Sequence, residues 1–135
     1  MSEVFDRGAA HRVVAGRRVL VVEDSFMIAW SLRQMLTDLG CTVLGPVGDV
    51  ATAMELIHAG NCDAAILDVN LDGQTSMPIA EALAAKGCPF LFVTGYSSPM
   101  LVEPRFQDRA RLRKPVTESN LHRALLETLG GVARQ

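Results

Sequence analysis

Short aliphatic runs alternate along this chain with longer stretches of helical periodicity. Residues 17–23 read RRVLVVE, residues 62–69 CDAAILDV and residues 89–93 PFLFV. Uninterrupted apolar runs of this length predict strands buried on both faces. Residues 41–47, CTVLGPV, predict a short strand stopped by Gly45 and Pro46, and residues 111–115, RLRKP, a short fifth strand stopped by Pro115. Between them lie helical patterns. In DSFMIAWSLRQMLTDLG, Ser25 is placed to cap, Ile28, Leu32, Met35, Leu36 and Leu39 share a face, and Gly40 suits the end. In DVATAMELIHAG, Asp49 caps and Gly60 terminates. MPIAEALAAKG carries Pro78 in its first turn, and TESNLHRALLETLGG has Thr117 as cap. NLDGQTS, between the third strand and its helix, predicts a loop. In residues 99–110, Pro99 and Pro104 oppose a long helix, so a short or mobile one is expected there.

Five strands alternating with helices predict an α/β domain with a mostly parallel sheet and helices on both faces. In such sheets ligands bind beyond the carboxyl ends of the strands. That rule sorts the polar residues. Glu23 and Asp24 end strand one, Asp68 ends strand three, Thr94 follows strand four and Lys114 follows strand five. All five gather at one sheet edge. Three carboxylates brought together repel one another and raise one another's pKa values, unless a cation neutralises them. Mg²⁺ favours oxygen ligands, typically one or two carboxylates plus waters and a phosphate. A carboxylate is also a nucleophile that can become an aspartyl phosphate. Lys114 then supplies fixed positive charge and Thr94 a hydroxyl donor for the phosphoryl oxygens.

The ordered set VLVVED, AILDVNLDG, FVTGY and LRKP resembles the receiver domain of two-component response regulators, over roughly residues 17–131. The resemblance implies a flavodoxin-like, doubly wound sheet of strand order 2-1-3-4-5. It implies Asp68 as phosphoacceptor, Asp24 as direct Mg²⁺ ligand, Glu23 acting nearby, often through water, and the backbone carbonyl of Asn70 as a further ligand. Thr94 and Lys114 bind the phosphoryl oxygens. Residues 89–96, PFLFVTGY, are similar to a subgroup reading P-F-x-F-A-T-G-Y, with Val93 in place of Ala. That subgroup is often stand-alone and works with HWE or related histidine kinases. The broader family places Tyr or Phe three residues before the lysine, where this chain has Arg111. Residues 99–110 are therefore expected to serve as the responsive segment, and Tyr96 to shield the acyl phosphate.

The remaining features narrow the reading. The 135 residues fit one domain, taken as residues 17–131 after an N-terminal extension over 1–16. Thirteen basic and 15 acidic residues leave a net charge of −2, giving no footprint for nucleic acid. No apolar run reaches the ~20 residues of a membrane span, and the N-terminus lacks an apolar signal core. Cys41, Cys62 and Cys88 are odd in number and lack CxxC spacing, which predicts packing thiols in a reduced, cytoplasmic chain. Met27 and Trp30 fall off the core stripe of the first helix, and His11, His58 and His122 have no ligand-like neighbours. The function expected is a single-domain response regulator that accepts a phosphoryl group in a Mg²⁺-dependent reaction from a histidine kinase or phosphotransfer protein. It is a signalling phosphoacceptor with slow self-hydrolysis rather than an enzyme, acting by protein contact or phosphate shuttling. The alternatives are a receiver-like interaction module that needs no phosphorylation and, more remotely, an aspartate-nucleophile phosphohydrolase built on DVNLD.

Overall fold

A computed structural model describes residues 13–95 and 103–133. Tyr96 and the stretch of the 99–110 segment before Glu103 lie outside the described residues, as do residues 1–12. The elements are β1 (Arg18–Val22), α1 (Phe26–Asp38), β2 (Thr42–Val47), α2 (Val50–Ala59), β3 (Ala64–Asp68) and β4 (Asn70–Leu71). They continue with β5 (Gln74–Thr75), α3 (Met77–Ala85), β6 (Phe90–Thr94), a 3-10 turn (Pro104–Phe106), β7 (Arg111–Arg113) and α4 (Glu118–Ala133). Five strands form one parallel sheet in the order β2-β1-β3-β6-β7. Setting aside the two-stranded β4–β5 ribbon, this is the expected 2-1-3-4-5 order.

Strand residues alternate between two cores, because successive side chains leave opposite faces of the sheet. Leu20, Val22, Ala65, Leu67, Phe90 and Phe92 pack with Ala53 and Ile57 of α2 and Ile79 and Leu83 of α3. Val19, Val21, Ile66, Leu91 and Val93 pack with Leu32 and Leu36 of α1 and Leu121 and Leu125 of α4. The helix caps act as their residue types dictate. Ser25, Asp49 and Thr117 accept hydrogen bonds from the backbone of Ile28, Thr52 and Asn120.

Three local expectations need correction or addition. Gly45 and Pro46 do not stop β2, which runs through to Val47 with a register shift against β1. Gly45 adopts φ +89°, where a Cβ would lie 2.8 Å from the Val47 nitrogen, so the strand kinks and continues. The NLDGQTS loop contains the β4–β5 hairpin, turning at Asp72 (φ 49°) and Gly73 (φ 87°). Asp-Gly at both left-handed positions is the residue pair a tight primed turn favours. Residues 13–16, grouped above with the extension, are packed onto the domain. Val14 is fully buried and its carbonyl accepts from the Cys41 thiol, while Gly16 N–H donates to the Gly40 carbonyl. Among the described residues between β6 and β7, the only helical element is the 3-10 turn. Its Phe106 is buried edge-to-face against Phe90, with Arg105 and Arg109 over the rings.

Candidate metal and phosphoryl site

The carboxyl ends of β1 and β3 lie side by side because Val22 pairs with Leu67. The next residues, Glu23 and Asp68, therefore meet at the sheet edge, with Asp24 one step beyond. Carboxylate oxygens of Glu23, Asp24 and Asp68 all lie within 4.8 Å of one another. The three differ sharply in exposure. Glu23 is 3% and Asp68 5% exposed, whereas Asp24 faces solvent. The cluster is walled by the core on the inside and open on the Asp24 side.

Lys114 closes the other flank. Its N–H donates to the Thr94 carbonyl at 2.8 Å, fixing the residue just beyond β7 against the end of β6. Its Nζ lies 3.0 Å from Glu23 Oε1 and donates to Asp68 Oδ2 at 3.1 Å. The Lys114–Pro115 peptide bond is cis. Ser25 N–H donates to Glu23 Oε2, and Asn70 N–H to Asp68 Oδ1 at 3.3 Å. Thr94 ends β6, one residue past Val93, the register partner of Asp68. The sheet thus brings Glu23, Asp24, Asp68, Asn70, Thr94 and Lys114 to one edge.

The electrostatics match a site built for a cation. Burial pushes the Glu23 carboxyl up to about 7. The Ser25 N–H opposes this, the charge of Asp68 reinforces it, and Lys114 draws it back. Burial also works against the Lys114 ammonium, but Glu23 and then Asp68 outweigh it and hold its pKa above the ordinary value. One lysine faces three carboxylates, so the cluster keeps excess negative charge. An all-oxygen donor set with one open side fits Mg²⁺, which retains several waters.

Other residues singled out by sequence resolve differently. Asp72 is the exposed turn residue of the hairpin, not an acid of the cluster. Arg111 lies in β7 and donates to the Gln107 carbonyl at 2.6 Å. Met27 and Trp30 are exposed on the first turns of α1, together with Phe26, which the sequence did not single out. Buried Ser76, missed by sequence reasoning, donates to the Val69 carbonyl and fastens the hairpin behind Asp68.

The family model of the response regulator receiver domain matches residues 19–126. This chain belongs to that family, whose members are signalling modules of two-component systems that hold Mg²⁺ in an acidic pocket. It is 35% identical over 109 residues to the transcriptional regulatory protein PdtaR of Mycobacterium tuberculosis, covering 78% of this chain and 53% of that protein. The chain thus spans about half the length of that curated relative. The solution structure of SdrG from Sphingomonas melonis Fr1 is similar at 44% identity and a TM-score of 0.74, covering 84% of this chain and 98% of SdrG. The BeF3-activated conformation of SdrG, from Pseudomonas melonis Fr1, gives 44% identity and a TM-score of 0.72, covering 85% and 98%. Among the described residues no helix is long and apolar enough to cross a membrane.

Proposed function

We propose that this domain, taken as residues 17–131, accepts a phosphoryl group on Asp68 from a phosphohistidine of a histidine kinase or phosphotransfer protein. The observation that carries the reading is the Lys114 ammonium, 3.1 Å from Asp68 Oδ2 in a cluster of three carboxylates. An Asp68 oxygen attacks the phosphorus, the nitrogen–phosphorus bond breaks, and the imidazole leaves. Lys114 stays beside Asp68 and pairs with a phosphoryl oxygen, and the Thr94 hydroxyl donates to another. Asp24, Asp68 and the Asn70 carbonyl would hold Mg²⁺ directly, with Glu23 linked through water. The ion supplies charge neutralisation for the incoming phosphoryl oxygens. Water later hydrolyses the acyl phosphate slowly, with Tyr96 shielding it.

The output is protein–protein contact or phosphate shuttling in the cytoplasm, and residues 99–110 are the segment that responds. The motif PFLFVTGY supports a partner kinase of the HWE type. The test is titration with beryllofluoride and Mg²⁺ followed by residue-level NMR, with radiolabel transfer from a phosphorylated kinase. Shifts centred on Asp68, Thr94 and Lys114, and label lost in Asp68→Asn, are expected. No shift at those residues and no label on the wild type would leave the phosphorylation-independent interaction module as the reading.

A further inference from the structure

At the opposite edge of the sheet a second cluster forms. Cys62 precedes β3 and Cys88 precedes β6, and these strands are neighbours paired through Ala65 and Phe90. Their Sγ atoms lie 3.4 Å apart. The Cys88 thiol is also 3.7 Å from the Cys62 carbonyl and 3.7 Å from that of Pro89. Backbone hydrogen bonds hold both thiols in place. Asp63 exchanges two bonds with Arg18, its N–H donating to the Arg18 carbonyl and its carboxylate accepting from the Arg18 N–H. Cys88 N–H donates to the Leu83 carbonyl at the end of α3, and Ala65 N–H to the Pro89 carbonyl. The pair is thus set by the sheet and the exit of α3.

We propose that Cys62 and Cys88 are an oxidative modification site, a dithiol that a hydroperoxide converts to an intramolecular disulfide. The Cys62 sulfur attacks the peroxide, the oxygen–oxygen bond breaks, and an alcohol or water leaves. This yields a Cys62 sulfenic acid. The Cys88 sulfur then attacks Cys62, the sulfur–oxygen bond breaks, and the hydroxyl leaves as water with the Cys88 proton. Two thiols are oxidised by two electrons, and the peroxide is reduced by two. The sulfurs close from 3.4 Å to the ~2.05 Å of a disulfide, bonding the approaches to β3 and β6.

Access and reactivity agree with these roles. A cleft of about 500 Å³, lined in part by Gly60, Cys62, Asp63, Lys86 and Cys88, opens beside the pair. Cys62 is half-buried and reachable, whereas Cys88 is buried behind it. The hydrogen bond with Cys88 outweighs burial and holds the Cys62 thiol at about 7, with Lys86 adding a smaller pull and Asp63 opposing. Cys88 is driven the other way by its hydrogen bond with Cys62 and by burial. Cys41 is an internal contrast: buried against α1 and pushed up to about 11 by burial alone. Cys62 is therefore the more readily ionised thiol of the two. Its lower intrinsic nucleophilicity offsets part of that advantage but leaves Cys62 the first sulfur to react.

The test exposes the full chain to hydrogen peroxide and maps peptides without reduction. Free thiols should fall from three to one, with a Cys62–Cys88 linkage, a loss of two hydrogens in mass and Cys41 still alkylatable. In C88S, dimedone should trap a sulfenic acid at Cys62. In C62S, Cys88 should remain a thiol under the same exposure. Three free thiols in oxidised wild type, a linkage that includes Cys41, or dimers formed before the internal bond would overturn the proposal. The wild-type mapping decides the question even where a serine variant folds poorly. It is also independent of whether Asp68 accepts a phosphoryl group.

Discussion

Glu23→Gln tests whether the acidic edge costs stability when no metal is present. In the folded domain the Glu23 carboxyl is raised from 4.5 to about 7, mainly by burial. The folded state therefore binds this proton more tightly than the unfolded state does. The stability linked to the group is complete below pH 4.5 and is lost as pH rises through about 7. Each unit is worth about 1.36 kcal/mol. Between pH 5.5 and about 7 the remaining 1.5 units correspond to about 2 kcal/mol, with little further loss above pH 8. Glutamine cannot ionise, so the variant does not suffer this loss. Its amide oxygen can still accept the Ser25 N–H, and the pull of Lys114 is already included in the raised value. The assay is urea denaturation of both proteins in EDTA at pH 5.5 and pH 8.5. Glu23→Gln minus wild type should become more favourable by about 2 kcal/mol between the two pH values. Offsets that do not depend on pH cancel in that difference. Millimolar Mg²⁺ should narrow the gap at pH 8.5, because the folded wild type, with its extra carboxylate charge, binds the ion more tightly than the variant and gains more stability from it. A difference that does not change with pH, or that moves the other way, would refute the account of a desolvated, repelled carboxylate.

Asp24→Ala should abolish Mg²⁺ binding measured by calorimetry while leaving urea stability in EDTA equal to or above wild type, since it removes one of three clustered charges. Gly45→Ala should cost about 2–4 kcal/mol in urea denaturation, because φ +89° strains an L residue and the added Cβ meets the Val47 nitrogen at 2.8 Å. Phe106→Ala should cost about 3 kcal/mol, emptying the space beside Phe90 under Arg105 and Arg109; a loss below 1 kcal/mol would mean that this turn is not held by its aromatic anchor.

The site was legible because its information is local to strand ends. A parallel α/β sheet places every strand's carboxyl end at one edge, so the acids after VLVV and AIL, the threonine after FLFV and the lysine after RLR had to converge there. Which strand residue faces which helix was not legible, since both faces are buried and the aliphatic runs show no alternation. Gly45 and Pro46 misled for a different reason. They break regular pairing, but a bulge lets β2 bend and continue, an outcome that depends on β1 lying alongside. Asp72-Gly73 did carry its turn signal, obscured because strands of two residues leave no pattern of their own. The dithiol lies further from reach. Cys62 and Cys88 are 26 positions apart and form no recognised spacing, so counting cysteines suggests only isolated thiols. Register changes that result. Once Ala65 pairs with Phe90, a cysteine three residues before one strand position and a cysteine two before the other arrive at the same end of adjacent strands. Their contact follows from long-range pairing. Burial then sets their proposed roles, with the half-buried sulfur as nucleophile and the buried one to resolve.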